Sequence, residues 1–156
     1  MEAFFFVLSR IVKLLLKLNF LILFSKIGLM DFYKVEETDE TPLIEFNISK
    51  RSLLLKGRSI PENPIKFFAP LLTLLGDYHK APQPFLEVDF KLEYFNTSSA
   101  KCILQILLLL SKIEQRETDV VVNWYYDEDD DDIFEIGQDY ARIIKIPVNL
   151  KMMPNN

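Results

Sequence analysis

The stretch FLEVDFKLEYF, residues 85–95, decides the fold of this chain, because apolar and charged side chains alternate along it. Such alternation is typical of a β-strand that turns one face to the core and the other to water or a partner. The core-facing residues are predicted to be Leu86, Val88, Phe90, Leu92 and Tyr94. The next four residues, NTSS at 96–99, have side chains that cap helices, and an apolar helix from about residue 98 to residue 115 is predicted to follow.

The segments on both sides of this strand continue the alternation of strands and helices. The other predicted elements are a hairpin of strands 42–48 and 51–57 that ends at Gly57, a helix at 64–78 that starts after Asn63, a strand at 119–126, a helix from the acidic run to about Ile143, and a strand at 144–150. Strands that alternate with helices imply parallel pairing after the hairpin. The predicted fold class is therefore α/β, a single domain with a mixed β-sheet and helices packed mainly on one face.

Length and composition limit what this chain can do. Its 156 residues are 49% hydrophobic and 26% charged, as expected of one globular domain. The net charge of −5 argues against nucleic acid as a partner, since lysine and arginine supply most of that affinity. A single cysteine excludes an intramolecular disulfide and a thiolate metal cage, and a single histidine excludes schemes that need two. We therefore expect no cofactor and no metal.

Residues 1–29 differ from the rest of the chain, residues 30–156, in charge and hydropathy. Their charged residues are Glu2, Arg10, Lys13, Lys17 and Lys26, so the segment carries +3 and the remainder −8. The uncharged runs are shorter than the ~18–20 residues of a spanning helix. Three of the basic residues are spaced to line one face of an amphipathic helix on an anionic membrane. Three interpretations stay open: an upstream or disordered extension before a true start at Met30, a peripheral membrane helix, or a span or signal peptide.

Thr97 is the first candidate for a regulated residue. A hydroxyl at a helix start lies where unpaired backbone N–H groups and the positive end of the helix dipole favour an added phosphate. Phosphorylation adds roughly −1.5 to −2 charges, which would oppose a partner surface that fits the neutral site. The alternative is that Asn96, Thr97, Ser98 and Ser99 only cap the helix.

Two further segments are candidates for recognition or chemistry. Residues 57–64, GRSIPENP, form either a strand-to-helix connection or a loop that recognises a partner. The acidic run Asp127–Asp132 either begins a helix, where carboxylates suit the dipole, or binds a divalent cation. The second reading predicts a metal-dependent hydrolase, but the run lacks the glycine and the alternate spacing of a Ca²⁺ loop, and no second ligand cluster accompanies it.

From about Asp31 to Leu150, the chain resembles the SiaC family of bacterial regulatory phosphoproteins. The matching stretches, in order, are Thr41-Pro42, GRSIPENP (57–64), LEYFNTSS (92–99) and VNWYYDEDDDD (122–132). The resemblance implies a single α/β domain similar to the STAS domains of anti-sigma-factor antagonists, without catalytic activity. Residues 1–29 depart from the family pattern, whose members look as if they begin near Met30.

The resemblance also implies a three-part signalling circuit. A dedicated kinase phosphorylates the threonine of the NTSS motif, which falls on Thr97, and a PP2C-type phosphatase removes the phosphate. The unphosphorylated form binds and activates a diguanylate cyclase, which raises cyclic di-GMP and favours biofilm formation or aggregation.

We therefore hypothesise a non-enzymatic partner-switching protein. The residues expected to shape the cap of the switch are Asn96, Ser98 and Ser99, and those expected to contribute to docking are Arg58, Ser59, Pro61, Glu62 and Asn63. The expected location is cytoplasmic, with contact to the inner membrane only through residues 1–29. A membrane-surface adaptor built on that segment is the alternative function.

Overall fold

A computed structural model of the chain describes residues 31–116 and 118–153. The strands are β1 (Phe32–Val35), β2 (Leu43–Asn47), β3 (Ser52–Ser59), β4 (Phe85–Phe95), β5 (Asp119–Tyr126) and β6 (Val148–Met152), and the helices are α1 (Pro64–Tyr78), α2 (Thr97–Glu114) and α3 (Asp131–Ile143). The predictions made for residues 1–29 lie outside the described residues.

The six strands form one sheet in which their spatial order is the same as their order in the chain. The first three strands pair antiparallel, and β3, β4, β5 and β6 pair parallel. One helix connects each parallel strand to the next one. Because the crossovers are right-handed and all proceed in the same direction across the sheet, the three helices lie on the same face. The predicted α/β class with a mixed sheet and helices on one face is confirmed.

The core lies between this face and the helices. Its most buried side chains on the sheet include Ile44, Phe46, Leu53, Leu55, Leu86, Val88, Phe90, Val122 and Trp124. The helices cover them with Phe68, Leu71, Leu75, Ile103, Ile106, Leu107 and Leu110. The other face of the sheet is not covered by any helix among the described residues, and we call it the open face.

A β-bulge corrects the prediction for the end of β4. Gly57 pairs with Leu92, but the next residue, Arg58, pairs with Tyr94, so Glu93 is an extra residue on β4. One extra residue shifts the alternation by one position. The side chain of Tyr94 therefore lies on the open face, 49% exposed, and Phe95 takes the core position instead. The predicted inward position of Tyr94 was wrong.

Other strands also differ from the sequence prediction. Strand β3 does not end at Gly57, which has a left-handed φ of +96° and lies within the strand beside the bulge. Strand β6 begins at Val148 and not at residue 144, because Pro147 has no N–H to donate to a ladder. Strand β1 was not predicted at all, since it has only four residues at the sheet edge.

Candidate functional site

Three loops meet at the carboxyl edge of the parallel strands, where ligands and partners of open α/β sheets commonly bind. They join β3 to α1, β4 to α2 and β5 to α3. Each loop ends in a residue whose side-chain oxygen accepts a hydrogen bond from the backbone N–H three residues later. The capping residues are Asn63, Asn96 and Asp130. Their Oδ1 atoms accept from the backbone N–H groups of Lys66 at 3.0 Å, Ser99 at 2.9 Å and Ile133 at 2.9 Å, respectively. This edge therefore presents three fixed helix N-termini.

The NTSS motif occupies the middle of this edge. Asn96 has extended backbone geometry, and Thr97 is the first residue of α2. The side chains of Thr97 and Ser98 are exposed, whereas Ser99 is fully buried. The first N–H groups of a helix have no intrahelical acceptor, so the Thr97 hydroxyl lies beside unsatisfied backbone donors. Of the three hydroxyls in the motif, only the first two are accessible to another protein.

A buried pair of hydroxyls joins the first two loops. The Ser59 hydroxyl donates to the Ser99 hydroxyl at 3.0 Å, and both side chains have no exposed surface. The backbone N–H of Asn96 donates to the Ser59 carbonyl at 3.2 Å. Ser59, which the sequence grouped with the docking residues, therefore holds the start of α2 against β3 and presents no surface.

Of the other predicted docking residues, one is buried and three are exposed. Pro61 is buried, while Glu62 and Asn63 are exposed. Arg58 is exposed on the open face, with its guanidinium 5.3 Å from the centroid of the Tyr94 ring. The sequence did not single out Ile65, which is 77% exposed in the first turn of α1. An exposed branched apolar residue at this edge is a further candidate for partner contact.

Helix α3 is tied to the first turn of α2 by a tyrosine that the sequence analysis did not identify. The Tyr140 hydroxyl donates to the Ala100 carbonyl at 2.9 Å. Burial raises the pKa of the Tyr140 phenol to about 12. A second link runs from α3 to the sheet, since the Trp124 indole N–H donates to the Ile133 carbonyl at 2.9 Å. The position of α3 is thus coupled to the helix start that carries Thr97.

The cleft between the end of β4 and α3 is strongly acidic. Its lining residues are Glu93, Tyr94, Phe95, Asp130, Asp132, Ile133, Glu135, Ile136 and Asp139. Thr97 comes two residues after the last β4 position in this lining. A phosphate on Thr97 would therefore add charge to an acidic region, and the α2 N-terminus would have to offset it.

The acidic run Asp127–Asp132 supplies the cap and first turn of α3. No group of three or more His, Cys, Asp or Glu side chains among the described residues is placed to hold a metal ion, so the hydrolase alternative has no support in this part of the chain. Cys102 is buried, and burial raises the pKa of its thiol. Within residues 31–116 and 118–153, no helix combines the length and hydropathy required to cross a membrane.

Comparison with known proteins shows what the chain is similar to. A family model described as "SiaC family regulatory phosphoprotein" matches residues 35–153. A curated Pseudomonas aeruginosa protein, described only as uncharacterised, is 30% identical over 110 residues, which are 70% of this chain and 87% of the relative.

Two solved structures from the same organism are similar in both fold and sequence. The structure of SiaC of Pseudomonas aeruginosa matches with 27% identity and a TM-score of 0.73, over 80% of this chain and 100% of that chain. The crystal structure of the diguanylate cyclase SiaD in complex with its activator SiaC matches with 27% identity and a TM-score of 0.72, over 78% of this chain and 99% of that chain.

Proposed function

Because the chain belongs to the SiaC family of regulatory phosphoproteins, we propose that it binds and activates a diguanylate cyclase while Thr97 carries no phosphate. A cognate kinase phosphorylates Thr97 and ends this interaction, and a PP2C-type phosphatase restores it. The output is the level of cyclic di-GMP in the cytoplasm. The chain is a regulator and not an enzyme.

The proposal of a cyclase partner is supported by the related complex, in which SiaC is named as the activator of the cyclase SiaD. The similarity covers 99% of that chain, so nearly the whole of the related chain has a counterpart in this one. At 27% identity, the surfaces of the two proteins can select different cyclases.

The single observation that carries the choice of Thr97 is its exposure at the first position of α2, where the family resemblance puts the phosphorylated threonine, beside a buried Ser99. A kinase must reach the hydroxyl, and Thr97 and Ser98 are the hydroxyls of the motif that it can reach. The Asn96 cap fixes the backbone of the first turn, so the Thr97 side chain has a defined direction. Lys101 is exposed four residues later, which places it on the same side of the helix as Thr97.

Phosphorylation would oppose binding mainly through the partner. The helix N-terminus can offset the phosphate by about 0.3–1 kcal/mol in solvent, and Lys101 by about 0.2–0.5 kcal/mol. A partner surface that covers Thr97 would remove water from a dianion, which costs several kcal/mol unless new ion pairs form. Since each 1.4 kcal/mol is tenfold in affinity, we expect a loss of roughly 100-fold or more.

The proposed docking surface surrounds this residue on the carboxyl edge. Arg58, Glu62 and Asn63 offer exposed polar groups there, and Ile65 offers an exposed apolar one. Ser59 and Pro61 support the loop from below. This mixture of one apolar anchor and a polar rim is typical of regulated, non-obligate interfaces.

Mass spectrometry of the protein from its native host, with and without phosphatase treatment, tests the modification. We expect a phosphatase-sensitive gain of one phosphate on the peptide that contains Thr97. An unmodified Thr97 across growth conditions, with good coverage of its peptide, would remove the switch from the proposal and leave NTSS as a helix cap. The same spectra identify the first residue of the mature chain, which decides whether residues 1–29 are present.

Calorimetry with the cognate cyclase tests the consequence. Thr97→Ala should bind like the unmodified protein, and Thr97→Glu should bind much more weakly. Thr73 provides the matched control, because it is an exposed threonine on α1 about nine residues from the helix start. Thr73→Glu should leave cyclase binding unchanged. Equal binding by the wild type, Thr97→Ala and Thr97→Glu would exclude Thr97 from the interface.

Residues 1–29 would add a peripheral membrane contact to this function. Their basic and apolar side chains are suited to an anionic lipid surface. Co-sedimentation with anionic liposomes should be stronger for the full chain than for one that starts at Met30. Equal co-sedimentation would remove the membrane contact and leave the switch untouched.

A further inference from the structure

Strand β6 (Val148–Met152) forms one edge of the sheet, and β5 is the strand that pairs with it among the described residues. The backbone N–H of Met153 donates to the Tyr126 carbonyl at 2.8 Å. The N–H and C=O groups of successive residues in a strand point to opposite sides, so every second residue before Met153 also bonds to β5. The residues between them, whose N–H and C=O groups point away from the sheet, are Val148, Leu150 and Met152.

These three residues present an unpaired strand edge. Each contributes one backbone donor and one acceptor, and no strand within residues 31–116 and 118–153 pairs with them. A row of unpaired backbone groups is a template for a further strand. Pro147 and Lys151 are of the residue types that limit such pairing, so the side chains of β6 decide what this edge accepts.

The side chains of β6 divide between the two faces of the sheet. Asn149 and Lys151 are exposed on the open face. The side toward the helices is apolar, and Met152 is 54% exposed there. The other apolar residues of the strand, Val148 and Leu150, are half-buried. The edge therefore has an incompletely covered apolar strip on one side and a polar strip on the other.

We propose that a second copy of this chain covers the edge with its own β6. The two strands pair antiparallel about a two-fold axis that passes beside Leu150, perpendicular to the sheet. Val148 of each copy then lies opposite Met152 of the other, and Leu150 lies opposite Leu150. Because the outward N–H and C=O groups of these residues face each other, each pair exchanges two hydrogen bonds. The two sheets become one continuous sheet.

The sequence of β6 is complementary to itself in this register. Apolar residues meet apolar residues on the helix side, and Asn149 lies opposite Lys151 of the second copy on the open face, so no like charges are directly opposite each other. The Lys151 ammonium is 5.5 Å from the centroid of Tyr125 on β5, so it leans away from the edge. A shift by one ladder step toward the carboxyl end would place the two Lys151 side chains directly opposite each other, which disfavours that register.

The neighbouring helix leaves room for this contact. The acidic residues of α3 that line the cleft against the end of β4, Asp132, Glu135 and Asp139, face away from β6. Ile143, the last residue of α3, is 54% exposed. Since α3 ends shortly before β6 begins, Met152 of the second copy arrives at the end of the sheet where Ile143 lies. The pairing thus brings two exposed apolar side chains to the same end of the interface.

The size of the contact sets its expected strength. Five residues at ~3.3 Å per residue give a strand pair only ~17 Å long, so the contact is smaller than the ~800 Å² per partner of standard stable interfaces. We therefore expect a weak dimer that forms at high protein concentration. The strands of the two copies run in opposite directions, so their carboxyl edges, with Thr97, face opposite ways and both stay accessible. Dimerisation should then be independent of the state of Thr97.

Amide hydrogen exchange of the full chain, followed by NMR at low and high protein concentration, tests the pairing residue by residue. At low concentration, we expect fast exchange for the outward amides of Val148, Leu150 and Met152, and protection for the amides of Lys151 and Met153, which bond to β5. At high concentration, exchange of the three outward amides should slow by roughly tenfold or more. Sedimentation velocity should show the dimer over the same range of concentration.

Two variants of Met152 test the contact itself. Met152→Pro removes an outward N–H at an edge position, where proline is compatible with the ladder to β5. The bond is lost at both ends of the interface, so dimerisation should weaken by roughly tenfold or more. Met152→Lys, at a side chain that is exposed in the monomer, places a charge opposite Val148 and should also weaken it. Leu108→Lys is the matched control, because Leu108 is 42% exposed on α2, and it should dimerise like the wild type, as should Thr97→Glu.

A wild type that is monomeric at every concentration overturns the proposal, and Pro147 and Lys151 are then the residues that block the edge. A dimer in which the three outward amides still exchange fast also overturns it, since the contact must then lie elsewhere, for example in residues 1–29. Dimerisation at wild-type strength by both Met152 variants excludes the pairing through β6.

Discussion

Replacing Gly137 by alanine should destabilise the domain strongly, because no space exists for the added methyl group. Gly137 lies in α3 against the sheet. A Cβ atom there would be 2.5 Å from Trp124 Cδ1, 2.7 Å from Trp124 Nε1 and 2.9 Å from Leu150 Cδ2. The indole is only 1% exposed, with Phe90, Phe95 and Tyr140 in contact with its ring. It therefore cannot move without disturbing the core.

The cost can be assembled from its parts. Overpacking of a well-packed core costs about 1–3 kcal/mol. Moving the indole also breaks its 2.9 Å hydrogen bond to the Ile133 carbonyl, and a buried group left without its partner costs about 1–3 kcal/mol. The better helix propensity of alanine returns up to about 1 kcal/mol. These parts combine to a range of about 1–6 kcal/mol, and we expect a net loss near its middle, about 2–4 kcal/mol in the free energy of unfolding.

Urea unfolding followed by fluorescence measures this loss directly, since Trp124 is the single tryptophan of the chain. With a slope of about 2 kcal/mol/M, in the middle of the typical range of about 1–3, the midpoint should fall by roughly 1–2 M. Gly76→Ala is the matched control, because a Cβ on this helical glycine of α1 would have no atom within 4 Å. It should raise stability by about 0.5–1 kcal/mol. Changes of the same sign in both variants would refute the packing argument.

Three further changes test the supports of the switch. Asn96→Ala should lower the free energy of unfolding by about 0.5–2 kcal/mol in thermal or urea unfolding, whereas Asn96→Asp, which keeps the capping oxygen, should stay close to wild type. Ser59→Ala leaves the Ser99 hydroxyl buried without its partner and should cost about 1–3 kcal/mol; a double variant with Ser99→Ala should cost less than the sum of the single changes, and additive costs would show that the pair is not coupled. Because burial raises the pKa of Tyr140 from 10.0 to about 12, its neutral form contributes stability that is complete below pH 10 and is lost as the pH rises towards 12. Tyr140→Phe should therefore be less stable than wild type at neutral pH, and the difference should shrink between pH 10 and 12; a constant difference would contradict the assigned cause.

The order of the elements could be predicted because their patterns are local. The alternating strand at 85–95 and the helix at 64–78 with its proline start were predicted with boundaries that agree with the structure. The register at the end of β4 could not be predicted in the same way. The bulge at Glu93 depends on how Gly57 and Arg58 of the neighbouring strand pair, so it is a property of two segments and not of one. Tyr94 was placed on the wrong face for this reason.

The part of the candidate site that lies at a helix start could be predicted from the sequence. Cap chemistry identified the NTSS motif as a helix N-terminus, and the structure places it there. The contacts that join this start to other elements were not predictable, because they link residues 40 positions apart. The hydroxyl pair of Ser59 and Ser99 and the bond from Tyr140 to Ala100 both have that separation. No local pattern distinguishes such a buried serine from an exposed one.

Strands that are neighbours in the sheet are also consecutive in the chain, and this order has a consequence for biosynthesis. As the chain leaves the ribosome, each new strand can pair with the strand made just before it, and no strand has to insert between two that are already paired. Folding from the N-terminal side can therefore begin before synthesis ends. Strand β5, with Trp124, pairs with β4 before α3 and β6 have been made. The nascent sheet then has an incomplete edge until β6 arrives, and that interval is when a chaperone would have most to protect.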